Sequence, residues 1–134
     1  MQQEICDILM KLYMYADVTK MVHYTTEKNH AHELCDIIRD DITEFADDLA
    51  EQFFGYNGKP SFSDFSFDQS INQTDDLGEL CKSVSEMVDE LRKECDKDSK
   101  LSNLVSLIDD FKGDMSKDAF LATFDKVSDY KMEG

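Results

Sequence analysis

One segment of this chain, residues 29–56, repeats its apolar side chains at the spacing of an α-helix. Its large apolar residues follow one another at steps of three or four, and they are Leu34, Ile38, Ile42, Phe45, Leu49 and Phe53. Steps of this size return each side chain to one side of the 3.6-residue turn, so the segment predicts a long helix with one apolar face. Such a face must be buried against another element. The chain is therefore expected to pack helix against helix.

Three further segments have the same period and predict three further helices. They cover residues 2–26, residues 76–97 and a segment that starts near Ser99. The fourth helix either continues through Gly113 or restarts there, because Phe120, Phe124 and Val127 form a new apolar stripe.

The segment between the second and third helices has no helical period. Residues 57–76 contain the only proline, Pro60, and many Ser and Asp residues. We predict an ordered loop with a short helical turn, and the alternative is a short strand over residues 61–67. One proline and five glycines are too few for a fold built from many tight turns. The predicted fold is all-α, a single four-helix bundle domain over residues 1–134 with a long loop between helices two and three.

Charge limits the partners of the chain. Thirty Asp and Glu residues against fourteen Lys and Arg give a formal net charge of −16. This field repels phosphate backbones and attracts cations and basic protein surfaces, so nucleic acid is not expected as a ligand. No run of 18 apolar residues occurs, and the N-terminal residues do not have the pattern of a signal peptide. Four widely spaced cysteines are expected to be reduced and buried. These three observations together predict a cytoplasmic protein that does not enter a membrane.

Four potential metal ligands lie on one side of the second predicted helix. His32, Asp36, Asp47 and Glu51 fall at roughly 0°, 40°, 60° and 100° around its axis, at about 100° per residue. The apolar face is centred roughly 150° away by the same arithmetic. These side chains therefore point away from the core of their own chain, and a metal bound to them needs a second chain to close the site. The alternative is a solvated acidic face, because this helix carries eight carboxylates.

A further histidine, His23, lies nine residues before His32, close to the apolar face of the first helix. Two interpretations are open from the residues alone. One is a partly buried histidine held by hydrogen bonds, and the other is a neutral imidazole ligand at an interface.

The stretch from His23 to Ile71 combines these residues with others in a recognisable order. In chain order they are His23-Tyr24, His32, Asp36, Asp47-Asp48-Leu49-Ala50-Glu51, Gly55, Pro60, Ser63-Asp64-Phe65 and Ser70-Ile71. This stretch resembles the Dps-like miniferritins, which have His-Trp near the end of the first helix. Their second helix has His, then Asp four residues later, then Asp-x-x-Ala-Glu followed by Gly and Pro.

This resemblance implies a ferritin-like bundle that assembles into a homo-oligomeric shell of twelve chains. It implies non-haem iron at a ferroxidase site between subunits, where Fe(II) is oxidised by peroxide or dioxygen and stored. His23 and His32 would come from one chain, Asp47 and Glu51 from its neighbour, and Asp36 would lie beside them as a ligand or a supporting group. A second function class stays open, a non-enzymatic acidic interaction protein that binds a basic protein surface. A third is a shell protein without catalysis.

We predict that the protein does not bind duplex DNA at physiological salt. Each contact with a phosphate would be made against the negative field of the protein itself. An electrophoretic mobility assay without divalent ions tests this, and a clear shift in that assay would contradict the prediction.

Overall fold

The computed structural model describes residues 1–124 and consists of four long helices with two short 3-10 helices. The long helices are α1 (Gln2–Thr25), α2 (Asn29–Asn57), α3 (Leu77–Cys95) and α4 (Ser102–Ala122), and the 3-10 helices are Phe62–Asp64 and Ser99–Leu101. No strand occurs within the described residues. The all-α prediction is therefore confirmed for this part of the chain.

The observed helix ends agree closely with those predicted from the sequence, and they differ at a few positions. Helices α1 and α2 each end within one residue of the predicted position, and α3 ends two residues earlier, at Cys95. Helix α4 continues through Gly113 without a break, because buried Phe111 and Met115 on either side of it hold the same face against the core. The alternative of a strand over residues 61–67 is wrong, since a 3-10 turn forms there. Val127, assigned to the last apolar stripe, lies outside the described residues.

The helices pack as two antiparallel pairs. Helix α1 runs antiparallel to α2, and α3 runs antiparallel to α4, with hydrogen bonds or ion pairs along each pair. Helix α2 also packs against α4, and α1 packs against α3. Helices α2 and α3 are consequently parallel, because each is antiparallel to α4.

The connection from α2 to α3, residues 58–76, follows α1 along its length. Gln2 and Gln3 at the start of α1 donate hydrogen bonds to Asp64, and Tyr15 accepts one from the backbone N–H of Asn72. The connection begins at Gly58, whose φ of 97° is a conformation that residues with a side chain rarely adopt. It thereby brings the chain from one end of the bundle to the other, where α3 begins.

The interior of the bundle is apolar and closely packed. The rings of Phe45 on α2 and Phe111 on α4 stack with centroids 4.0 Å apart and planes nearly parallel. All four cysteines, Cys6, Cys35, Cys81 and Cys95, are buried free thiols. No helix within residues 1–124 is long and apolar enough to cross a membrane.

Phe45→Ala is expected to destabilise the bundle by about 3–5 kcal/mol, because it removes a buried ring and leaves a cavity beside Phe111. Urea unfolding followed by circular dichroism measures this loss. Phe120→Ala is the matched control, because the Phe120 side chain is 61% exposed. An equal loss in both variants would contradict the packing described here.

Candidate functional site

The turn between α1 and α2 brings His23 and His32 into contact. Only three residues, 26–28, separate the two helices, so the end of α1 lies beside the start of α2. The two imidazole rings stack with centroids 3.6 Å apart and an angle of 30° between their planes. The side chain of His23 is 15% exposed, and His32 lies on the outer surface.

Hydrogen bonds to the backbone fix both histidines through the same ring nitrogen. The Nδ1 atom of His23 lies 3.0 Å from the carbonyl oxygen of His32, and the Nδ1 atom of His32 lies 3.0 Å from the carbonyl oxygen of His23. A carbonyl oxygen only accepts hydrogen bonds, so each Nδ1 must carry the proton. In the neutral rings, each Nε2 then keeps its lone pair. Histidines that bind metals are usually held in this way, with one ring nitrogen donating to a carbonyl and the other bound to the metal.

Asp36 adds a carboxylate to the histidine pair. Its Oδ1 atom lies 3.6 Å from Nδ1 of His23 and 3.9 Å from Nη2 of Arg39. About half of the Asp36 side chain is exposed, so the carboxylate can still bind a further group. The structure therefore brings three of the five predicted site residues together in one chain.

The other two predicted residues, Asp47 and Glu51, lie farther along the outer face of α2. Asp47 comes eleven positions after Asp36, which is about 16 Å along a helix axis. Tyr13 on α1 donates a hydrogen bond of 2.9 Å to Oδ1 of Asp47. Partial burial, followed by this bond and the charge of Asp47, raises the pKa of Tyr13. The five residues thus form two clusters in a single chain, with Asp47 and Glu51 both exposed.

Within residues 1–124 of one chain, no three His, Cys, Asp or Glu side chains are arranged to hold a metal ion. The histidine pair supplies two nitrogens, and the distant carboxylate pair supplies oxygens one helical turn apart.

Negative charge is less balanced on α2 than on the opposite pair of helices. Helix α2 carries eight carboxylates and one cationic side chain, Arg39. Ion pairs link α3 to α4 instead, with Arg92 to Asp109 and Lys112 to Asp89. These contacts lower the pKa of Asp109 and Asp89, chiefly through the hydrogen bond from the paired cation. A cation is therefore attracted most strongly to the α2 side of the bundle.

An aromatic groove of about 350 Å³ adjoins Asp47. Its lining comes from α1, α2 and the connection after α2, and consists of Leu9, Met10, Tyr13, Ala50, Phe54, Phe62, Phe65 and Phe67. Phe62 and Phe67 are 82% and 76% exposed. Tyr13 both lines this groove and bonds to Asp47, so the groove continues the outer face that carries the candidate ligands. The convergence of these phenylalanines on α1 depends on the path of the connection, which the sequence does not specify.

A second acidic site, inside the bundle, was missed in the sequence. Asp118 on α4 is fully buried, and its carboxyl group meets that of Asp41 on α2. Burial, then the hydrogen bond with Asp41, raises the pKa of Asp118 to about 8. A signal was available, because Asp118 lies three residues after Met115 and so continues the buried stripe of α4.

No protein-family model, curated protein or solved structure matches this chain. A function for the chain must accordingly be argued from the residues and from the geometry described above.

Proposed function

We propose that this chain binds and oxidises Fe(II) at a site shared by two copies of itself, as a ferritin-like bundle of the miniferritin kind. The observation that carries the proposal is the histidine pair. His23 and His32 are stacked at one end of the outer face of α2, and both are held through Nδ1 so that Nε2 is available. The carboxylates of Asp47 and Glu51 occupy the other end of the same face.

The spacing of these residues fits a two-fold axis. His32 and Glu51 are equally far from the midpoint between Asp41 and Ile42 on α2, and so are Asp36 and Asp47. Two antiparallel copies of α2 related by an axis at that midpoint would bring His32 of one chain to the partner's Glu51. The same axis would bring Asp36 to the partner's Asp47. One symmetric contact would therefore complete two equal sites.

Charge at the same contact favours this register. Arg39 and Glu44 are also equally far from the midpoint between Asp41 and Ile42, so Arg39 of each copy would face the partner's Glu44. The remaining carboxylates would repel one another across the axis, and bound cations would relieve that repulsion. Association and metal binding are therefore expected to support each other.

The aromatic groove offers apolar surface for the same contact. Ala50 and Phe54 lie on the same side of α2 as the candidate ligands, at about 100° per residue. Symmetry would bring the end of α1, with exposed Met21 and Tyr24, towards the partner's groove. Exposed apolar patches of this kind mark interaction sites, and their burial would stabilise the contact.

The chemistry of the proposed site suits Fe(II) as substrate. Imidazole nitrogens and carboxylate oxygens bind Fe(II) and can leave positions open for peroxide or dioxygen. The iron gives one electron to the oxidant, and the carboxylates stabilise the higher positive charge of Fe(III). Other carboxylates of α2 would draw cations towards the site.

We predict that the protein forms a homo-oligomer, with twelve chains expected for a closed shell. Phe62→Ser with Phe67→Ser should shift the population towards smaller species, because it removes exposed aromatic rings from the proposed contact. Light scattering across a range of concentrations measures the mass. Phe120→Ser is the matched control, an exposed phenylalanine outside the proposed contact. A wild-type protein that stays monomeric throughout would contradict both the assembly and the shared site.

We predict that Asp47→Ala with Glu51→Ala reduces Fe(II) oxidation to the rate in buffer, since it removes the carboxylate half of the site. His32→Ala should slow oxidation strongly without unfolding the chain, because His32 is exposed. Stopped-flow absorbance follows the oxidation, and circular dichroism checks the fold.

Asp48→Ala is the control for the oxidation experiment. Asp48 is an exposed carboxylate on the same helix but outside the candidate arc. Asp41→Ala is unsuitable as a control, because Asp41 meets buried Asp118 inside the bundle. If Asp48→Ala reduced the rate as much as the double variant, the acidic face would act only through its overall charge.

A second candidate function, binding to a basic protein surface, is favoured by one combination of features. The exposed phenylalanines of the groove lie beside a helix with eight carboxylates and one cation. An apolar groove beside negative charge complements an amphipathic basic surface. A monomeric protein that does not accelerate Fe(II) oxidation would favour this function over the first.

A further inference from the structure

The carboxyl groups of Asp41 and Asp118 meet in the interior of the bundle. Asp118 is fully buried on α4, and one carboxyl oxygen of Asp41 on α2 is also buried. Within residues 1–124, no N–H or O–H group of another residue donates to Asp118 or to the buried oxygen of Asp41. The partner available to each carboxyl is therefore the other one.

Two ionised carboxylates repel each other and can only accept hydrogen bonds. A hydrogen bond between Asp41 and Asp118 consequently requires a proton on one of them. Burial raises the pKa of Asp118 to about 8, and the bond with Asp41 and its charge act in the same direction. A proton on one of the two carboxyl groups would therefore satisfy both side chains and remove their repulsion.

Within residues 1–124, no cationic side chain bonds to Asp118 in place of this proton. Cys81 of α3 is buried nearby, and burial, followed by the charges of Asp118 and Asp41, raises its pKa to about 12. The thiol therefore stays protonated near neutral pH. Along α4, Lys117 lowers the pKa of Asp118 while Asp114 raises it, and both are exposed.

We propose that Asp41 and Asp118 form a pH-sensitive contact through a shared proton. Loss of this proton at higher pH lets the end of α4 move away from α2 and exposes Cys81. This regulation goes beyond iron chemistry and does not depend on it. The moving part would be residues 113–122. The ion pairs Arg92–Asp109 and Lys112–Asp89 hold the preceding part of α4 to α3, and Gly113 has no neighbouring atom where a side chain would be.

The sign of the pH effect follows from the direction of the shift. An aspartate in an unfolded chain has a pKa of about 3.9, and the pKa of Asp118 in the folded protein is raised well above it. The stability that the shared proton provides is therefore complete below the unfolded pKa. It is lost progressively as the pH rises through the folded pKa, at about 8.

Alkylation of Cys81 relative to Cys95 tests this contact. Both thiols are buried on α3, and the pKa of each is raised, to about 12 for Cys81 and about 11 for Cys95, mainly by burial. Below about pH 10, the thiolate fractions of both groups grow with pH in the same proportion, so their ratio reports local opening. Brief iodoacetamide labelling of the folded protein, followed by peptide mass spectrometry, measures that ratio.

The ratio of Cys81 to Cys95 labelling should rise about threefold or more between about pH 6.5 and about pH 9 in the wild-type protein. In Asp118→Asn it should stay constant, because an amide donates a hydrogen bond to Asp41 at every pH. Asp110→Asn, a change at an exposed position on the same helix, should behave like the wild type. If Asp118→Asn does not fold, Asp41→Asn takes its place with the same expectation.

Two results would overturn the proposal. One is a constant ratio in the wild-type protein across this pH range. The other is a rise in the asparagine variant equal to that in the wild type. Urea unfolding midpoints measured at the same pH values give a second readout, in which the wild type should lose stability with rising pH and Asp118→Asn should not.

Discussion

The burial of one side of α2 is the constraint on which the remaining structure depends. Helix α2 packs against α1 and α4, and its apolar residues lie between them. Because a helix has a fixed turn, burying Ile38 and Ile42 directs His32, Asp36 and Asp47 outward. The same packing decides the neighbours of every acidic residue on α2. The exposed face with the candidate ligands and the buried acidic contact thus both follow from the orientation of one helix.

Periodicity was enough to predict the helices, and it failed where the fold decides between local alternatives. Helices α1 and α2 were predictable because each has a long apolar stripe and only three residues separate them. Whether α4 stops at Gly113 was not predictable, since glycine lowers helix stability by about 1 kcal/mol and packing can supply that amount. Within residues 61–67, the sequence predicted a helical turn and left a short strand open as the alternative, and the contacts with α1 accompany the 3-10 turn that forms.

The candidate site was predictable in part for a similar reason. The angular positions of His32, Asp47 and Glu51 around the α2 axis predict correctly that these side chains are exposed, because the angles depend only on the helical turn. The stacking of His23 on His32 depends on the length of the turn and on two backbone hydrogen bonds, which the sequence does not specify. Asp41 belongs to the same acidic run as its exposed neighbours, and its contact with Asp118 becomes evident only when α4 is in place.

Acidic residues on the two sides of α2 are expected to have separate roles. Those on the outer face are solvated, so added charge there mainly attracts cations, and salt weakens that attraction. Asp41 contacts buried Asp118, and a proton shared between them would relieve the repulsion of the two carboxylates. Movement of residues 113–122 would leave His23 and His32 in place, because their hydrogen bonds lie wholly within the α1–α2 pair. The proposed metal site and the proposed pH-sensitive contact are therefore held by different contacts of the same helix.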